Sequence, residues 1–352
     1  MNRRRLIVPA LVLALALAVF LQDGCAPKKE VVIAPRPQPV WFGLHVLVEK
    51  KDAAEELLRL IPALAPLGIN LLIVEIDYNY EYVSHPELRG EDPISKETVK
   101  KIVSLCRDLK IRLIPEFQSL GHQSWEKKTF PLLIQYPQFD ETPGQFPENK
   151  DIYCRSWCPL HPDLNPIIFQ LYDELIDVFE ADALHVGMDE VFLIGSEYCP
   201  RCRGQNPAEL FAKAVNDIYD HVVKERGLEM LMWGDRLIDG AATGYGEWEA
   251  SMNNTYQAVD LIPKDIIIYD WHYEKRKTYP SIPMFLDKGF RVLPTSFRNV
   301  RAVKDLIDYS LTFASDRMLG HLCTIWRAPK EGEARNPALV AASKKLRKYR
   351  LI

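Results

Sequence analysis

The sequence predicts an α/β protein built as a single (β/α)8 barrel, and three observations carry that prediction. Short runs rich in β-branched and aromatic residues alternate with helix-period segments in eight strand–helix units after Val40. No glycine-rich phosphate loop follows any of these strands, which sets aside a doubly wound open sheet. Carboxylates, histidines and tryptophans gather at the C-terminal ends of the strands, where barrels build their sites.

The first residues are read as targeting rather than fold. Arg3-Arg4-Arg5 precedes an apolar run from Leu6 to Leu21, too short for a comfortable membrane span. Cys25 stands where a bacterial lipoprotein would be acylated, although Gln22-Asp23-Gly24 lacks the aliphatic residue expected three places before that cysteine. Residues 1–25 are therefore expected to direct export. The product is a membrane-anchored lipoprotein, a periplasmic or extracellular protein, or one held by an uncleaved anchor. Residues 26–39, with Pro35, Pro37 and Pro39, read as an extended tether. The barrel occupies residues 40–352.

The strands are expected at Trp41–Val48, Asn70–Ile76, Arg112–Phe117, Ala183–Met188, Met230–Trp233, Ile266–Trp271, Phe290–Thr295 and Leu319–Trp326. Helical patterns fill Asp52–Leu67, with Leu57, Leu60, Ile61 and Leu64 on one face, and Lys96–Leu109, which starts after the N-cap Ser95. Asn165–Phe179, Pro207–Arg226, Val300–Ser315 and Pro337–Tyr349 behave likewise. The link between the sixth and seventh strands is short, and its helix is the weakest of the set. A formal net charge of −4, from 44 basic and 48 acidic residues, leaves no footprint for nucleic acid.

In strand order, the C-terminal ends carry His45, then Glu75, Asp77 and Tyr78, then Glu116, Gln118 and Gly121-His122. The fourth carries His185 and the pair Asp189-Glu190, the fifth Trp233-Gly234-Asp235, the sixth Asp270-Trp271-His272-Tyr273 and the eighth Trp326-Arg327. A lone Trp is usually core. Three at equivalent strand ends suit the apolar C–H faces of a sugar, with carboxylates and histidines for its hydroxyls. An Asp-Glu pair at a strand end can share one site only if the strand gives way to a loop there.

The run His185-Val186-Gly187-Met188-Asp189-Glu190 resembles the His-x-Gly-x-Asp-Glu motif of glycoside hydrolase family 20, the β-N-acetylhexosaminidases. Ile73-Val74-Glu75, Ile114-Pro115, Gly121-His122, Asp189-Glu190-Val191, Trp233-x-Asp235, Trp271 and Trp326 are similar to the hexosaminidase D-like branch. That resemblance implies hydrolysis of terminal N-acetylhexosamine from a glycan by substrate-assisted catalysis. Glu190 would protonate the leaving oxygen, Asp189 would orient the acetamido N–H, and His122 would tune Glu190. Trp233, Trp271 and Trp326 would wall the acetamido pocket, and Asp235 would hold a sugar hydroxyl. His45, Asp77, Glu116 and His185 complete the expected sugar-binding set, and His272 is a further residue in reach.

No cofactor is expected for catalysis, and a glycan is the expected partner, with membrane contact only through a lipid anchor at the N-terminus. Two features depart from the better-known members: His45 stands where they place an Arg, and Arg327 where they often carry a Glu. Two other readings use the same residues. One is a catalytically silent sugar-binding lipoprotein; the other is a hydrolase working with two enzyme carboxylates, Glu116 and Glu190.

The cysteines make a second constellation. Cys106 and Cys323 read as buried thiols. Cys154-x3-Cys158 and Cys199-x2-Cys202 lie in loops expected to be neighbours above the barrel. Two such pairs suit a structural zinc ion held by four thiolates, or disulfides; both stay open. Four thiolates leave no open position, so a catalytic zinc is not expected. The remaining histidines show no metal-ligand spacing, and His221, within a helix, reads as structural.

Overall fold

The computed structural model describes residues 40–352; the signal-like segment, Cys25 and the tether lie outside the described residues. Among the described residues, no helix is long and apolar enough to cross a membrane.

Eight parallel strands close a barrel: β1 Trp41–Leu47, β2 Leu71–Glu75, β3 Arg112–Ser119, β4 Ala183–Gly187, β5 Glu229–Trp233, β6 Ile267–Trp271, β7 Arg291–Ser296 and β8 Gly320–Ile325. Each strand pairs with its sequence neighbours, and β8 closes on β1 with Gly320 opposite Trp41. Leu71, Ile73, Ile114, Leu231, Ile267, Leu293 and Leu322 pack with Trp233 and Tyr269 as one buried cluster, so the interior is filled. At the N-terminal ends of the strands, Arg112 donates to Asp182 at 2.9 Å and to Glu229 at 2.7 Å, and Arg291 pairs with the same Glu229. That face carries stability.

The helices follow their caps. α1 (Lys51–Leu64) buries Leu57, Leu60, Ile61 and Leu64, then tightens into a 3₁₀ turn ending at the left-handed Gly68. α2 (Lys96–Asp108) starts where Ser95 accepts from Thr98 N at 3.2 Å. α3 spans Leu164–Phe179. α4 (Pro207–Tyr219), capped by Asn206, loosens into a π-turn over Asp220–Glu225 where one continuous helix was expected. α5 (Ser281–Asp287) is the short helix between β6 and β7; α6 (Val300–Ser310) and α7 (Pro337–Lys348) are capped by Asn299 and Asn336.

The segment between β5 and β6 departs from the eightfold repeat. It holds only the short helices Gly240–Thr243 and Gly246–Glu249 and 3₁₀ turns, because Gly240, Gly244 and Gly246 interrupt any helical run.

The closing seam leaves no room for a side chain. Gly320 has φ of 150°, and a Cβ there would lie 1.9 Å from the Trp41 carbonyl oxygen, which is backbone and cannot yield. Gly320→Ala should therefore destabilise the protein by about 2–4 kcal/mol, combining backbone strain and overpacking. Denaturant unfolding of the full chain measures it; an unchanged midpoint would show that the seam is loose.

Candidate active site

The site forms where β4 ends. Beyond the strand the backbone turns left-handed, with φ of 65° at Gly187, 76° at Met188 and 49° at Glu190. Glycine suits 187, since a Cβ there would press on the Gln118 backbone at 2.9 Å as well as on its side chain. Positive φ at Met188 and Glu190 costs on the order of 1–2 kcal/mol each, strain of the sort that persists at functional sites. The reversal defeats strand alternation and turns Asp189 and Glu190 toward one cavity of about 1000 Å³. Asp77, Gln118, His122, Trp271, Tyr273 and Trp326 line it with them.

The bulge that shifts the β3–β4 register between Glu116 and Ser119 sits beside this turn. Beyond it, residues 120–163 form a long excursion. Arg155 organises it by donating to Asn149, Asp140 and the carbonyls of Gln145 and Phe146. His122, with φ of 52°, projects from its start. His122 Nε2 lies 3.4 Å from Asp189 Oδ2 and 3.3 Å from Glu190 Oε2. Burial opposes its cation, but Asp189, with Cys154 and Glu190 also contributing, holds the imidazole well above its ordinary range. Asp189 is buried, and its Oδ1 has no hydrogen-bond partner.

Behind the cavity lies a charged layer that the sequence placed at the sugar. His45 Nε2 is 3.0 Å from Glu75 and 3.2 Å from Glu116. Glu116 Oε1 accepts from Trp233 Nε1 at 2.8 Å and lies 3.2 Å from His185 Nδ1. His45, Glu116, His185 and Trp233 are all 0% exposed. None of the four lines the cavity. They form its foundation instead, because a strand residue pointing into a filled barrel meets side chains rather than ligand. Burial raises Glu116, but His185 and His45 outweigh it and hold it down to about 2. Burial lowers His45, yet Glu116 and Glu75 bring it up to about 10, while burial pushes Glu75 up to about 7.

Asp235 is also displaced from its expected role. At 2% exposure it accepts from Glu190 N at 3.0 Å and Arg236 Nε at 2.6 Å through Oδ2, and from Trp271 Nε1 at 3.3 Å through Oδ1. Both oxygens are engaged within the protein, so Asp235 positions the Glu190 backbone and the Trp271 ring. Arg236, 1% exposed, donates onward to the carbonyls of Glu247, Trp248 and Ala250. His272 is buried between Glu249 and Asp270 and does not reach the cavity. Asp77, Trp271 and Trp326 line the cavity.

Two tyrosines join the wall, Tyr273 from the sixth strand end and Tyr153 from the long loop, the latter unmarked by the sequence. Tyr153 faces Glu190, and burial and then that carboxylate push its hydroxyl above the ordinary range. Tyr273 accepts from Trp326 Nε1 at 2.6 Å. Tyr273 was read at the end of the sixth strand but given no role at the sugar; Tyr153 lies in an aperiodic loop with no local signal.

The cysteine prediction is corrected at one position. Cys154 Sγ turns to the Glu190 carbonyl at 3.6 Å, away from Cys158, Cys199 and Cys202. Glu141 takes its place in their cluster, and the six described cysteines are free.

Residues 80–300 match the catalytic domain of glycosyl hydrolase family 20. The chain belongs to that family. The lacto-N-biosidase of Bifidobacterium bifidum is 25% identical over 234 residues, 62% of this chain and 18% of that protein. A β-hexosaminidase of Akkermansia muciniphila is 24% identical over 193 residues, 49% of this chain and 38% of that one. The β-N-acetylhexosaminidase from Bacteroides fragilis shares the fold, with a TM-score of 0.64 at 15% identity over 87% of this chain and 66% of that chain. The chain thus spans less than half the length of the two curated relatives.

The buried layer of this family 20 barrel has a measurable signature. His45 rises from 6.5 to about 10, so its pairing stabilises the fold fully below pH 6.5 and is lost as pH rises through 10. Nitrogen-detected NMR of the full chain at pH 8 should find the His45 ring doubly protonated. A ring that titrates near 6.5 would contradict the pairing with Glu75 and Glu116.

Proposed function

We propose that this chain hydrolyses terminal β-N-acetylhexosaminides with retention, using the 2-acetamido group of its own substrate as nucleophile. One observation carries the reading. A buried carboxylate oxygen without a partner, Asp189 Oδ1, belongs to a residue on the cavity wall next to Glu190. Such an oxygen needs a donor, and the acetamido N–H supplies one.

The acetamido oxygen attacks C1 while the bond from C1 to the leaving oxygen breaks. Glu190 gives that oxygen its proton, and Asp189 accepts from the N–H as positive charge develops on the oxazolinium ring. Glu190 then takes a proton from water, which attacks C1 and reopens the ring, restoring the acetamide. His122, within 3.5 Å of both carboxylates, places a positive charge beside the acid pair. Trp271 and Trp326 stack on the sugar, while Tyr153 and Tyr273 offer hydroxyls at its edge.

The two-carboxylate reading loses its second acid. Glu116 is fully buried and lies against His45, His185 and Trp233, where no sugar reaches it. Export belongs to the same proposal. It rests on the basic start and apolar run of residues 1–25, with Cys25 as the acylation site.

The test is hydrolysis by the full chain of nitrophenyl β-N-acetylglucosaminide, β-N-acetylgalactosaminide and the matching glucoside and galactoside. Activity should be confined to the acetamido sugars and blocked by a thiazoline mimic of the intermediate. Equal turnover of the plain glycosides would overturn the mechanism; silence on all four with the mimic bound would favour a sugar-binding protein. Glu190→Gln should cut turnover by about two to four orders of magnitude, and least on activated leaving groups. A loss equal across leaving groups would remove Glu190 as the acid.

A further inference from the structure

Outside the cavity, Glu141, Cys158, Cys199 and Cys202 converge, with their ligand atoms all within 4.8 Å of one another and all four residues buried. Glu141 and Cys158 come from the excursion between β3 and α3; Cys199 and Cys202 come from the loop between β4 and α4. Cys158 and Cys202 stand 3.3 Å apart, sulfur to sulfur, beyond the roughly 2.05 Å of a disulfide.

The cysteines sit in a turn shaped for a ligand. In Cys199-Pro200-Arg201-Cys202-Arg203-Gly204, Arg203 N donates to the Cys199 carbonyl at 3.1 Å, and Gly204 takes φ of 76°. Cys202 N donates to Cys199 Sγ at 3.4 Å, which supports a thiolate there. The independent observation is Glu141. It is 0% exposed; Oε1 accepts from Ser196 N at 2.9 Å, while Oε2 meets no nitrogen or hydroxyl donor and the carboxylate faces the Cys199 and Cys202 thiols. Three sulfurs and a carboxylate facing one another out of water, within 4.8 Å, match a soft divalent cation with closed tetrahedral coordination.

We propose that Glu141, Cys158, Cys199 and Cys202 hold a structural zinc ion. The ion clamps the two loops together. One presents His122 and Tyr153; the other begins at Glu190. Cys154 is not a ligand, because its sulfur is turned to the Glu190 carbonyl. His161, although two residues beyond the Pro159 that follows Cys158, packs on Phe139 at 4.6 Å and accepts from Asp163 N through Nδ1.

The test is elemental analysis of the full chain purified without chelators, with X-ray absorption at the zinc edge. The expected result is about one zinc per chain, with three sulfurs at about 2.3 Å and one light atom at about 2.0–2.2 Å. Glu141→Ala and Cys199→Ser should lose the metal, whereas Cys154→Ser and His161→Ala should retain it. If the first two variants fail to fold, the wild-type stoichiometry and shell still decide. A wild-type chain that carries no metal, takes up no added zinc and shows a Cys158–Cys202 disulfide in its peptide map overturns the proposal. Zinc retained by Glu141→Ala but lost by Cys154→Ser overturns the ligand set. Metal content is read without any glycoside, so neither result depends on the proposed hydrolysis.

Discussion

Adjacent residues on an extended strand point to opposite faces, yet Asp189 and Glu190 line one cavity. The rest of the architecture serves that arrangement. Gly187 permits the turn, Met188 and Glu190 accept unfavourable backbone angles, and the Asp235 carboxylate fixes the Glu190 N–H. Strain of this kind survives only where neighbours over-determine the conformation. Arg236 anchors Asp235 to three carbonyls, and Asn253 ties the carbonyls of Val191 and Phe192 from the far side. The irregular segment after β5 thus has a purpose: a regular helix there would not supply these contacts.

Beneath the turn, the barrel buries an alternating set of charges. Glu116, its pKa held low, lies between His45 and His185, and Glu75 lies on the other side of His45. Buried charges of this kind are costly unless paired. Here they fix the rings against which Trp233 and Trp326 pack, with His45 4.5 Å from Trp326 and Trp233 5.5 Å from it. The Trp326 face offered to the cavity is therefore set from below. A single charge removed from this layer leaves its partner stranded, so the effect spreads to the wall above.

The barrel was legible in the sequence because strand runs and helix faces are local patterns, and caps such as Ser95 are local too. The placing of Asp189, Glu190 and His122 together was legible for a related reason: short motifs report where a strand ends. Depth was not legible. His45, Glu116, His185, Trp233 and Asp235 share their chemistry with sugar-binding residues, and only packing shows that they lie behind the wall. Glu141 was invisible as a partner for the cysteines because a lone Glu in a loop carries no spacing. Cys154 was misplaced because sequence proximity to Cys158 says nothing about which way a sulfur turns. The break between β5 and β6 was hidden by strands that keep the barrel rhythm on either side of it.

The measurement that reaches the central claim most directly is the rate of the full chain on a series of N-acyl glucosaminides whose acyl methyl group is progressively fluorinated. Fluorine withdraws electrons from the amide oxygen without greatly changing its size. If that oxygen attacks the anomeric carbon, kcat/KM should fall steeply with each fluorine. A rate indifferent to fluorination would mean that Asp189 and Glu190 cleave the bond without the substrate's help, and the account built on their shared turn would fail.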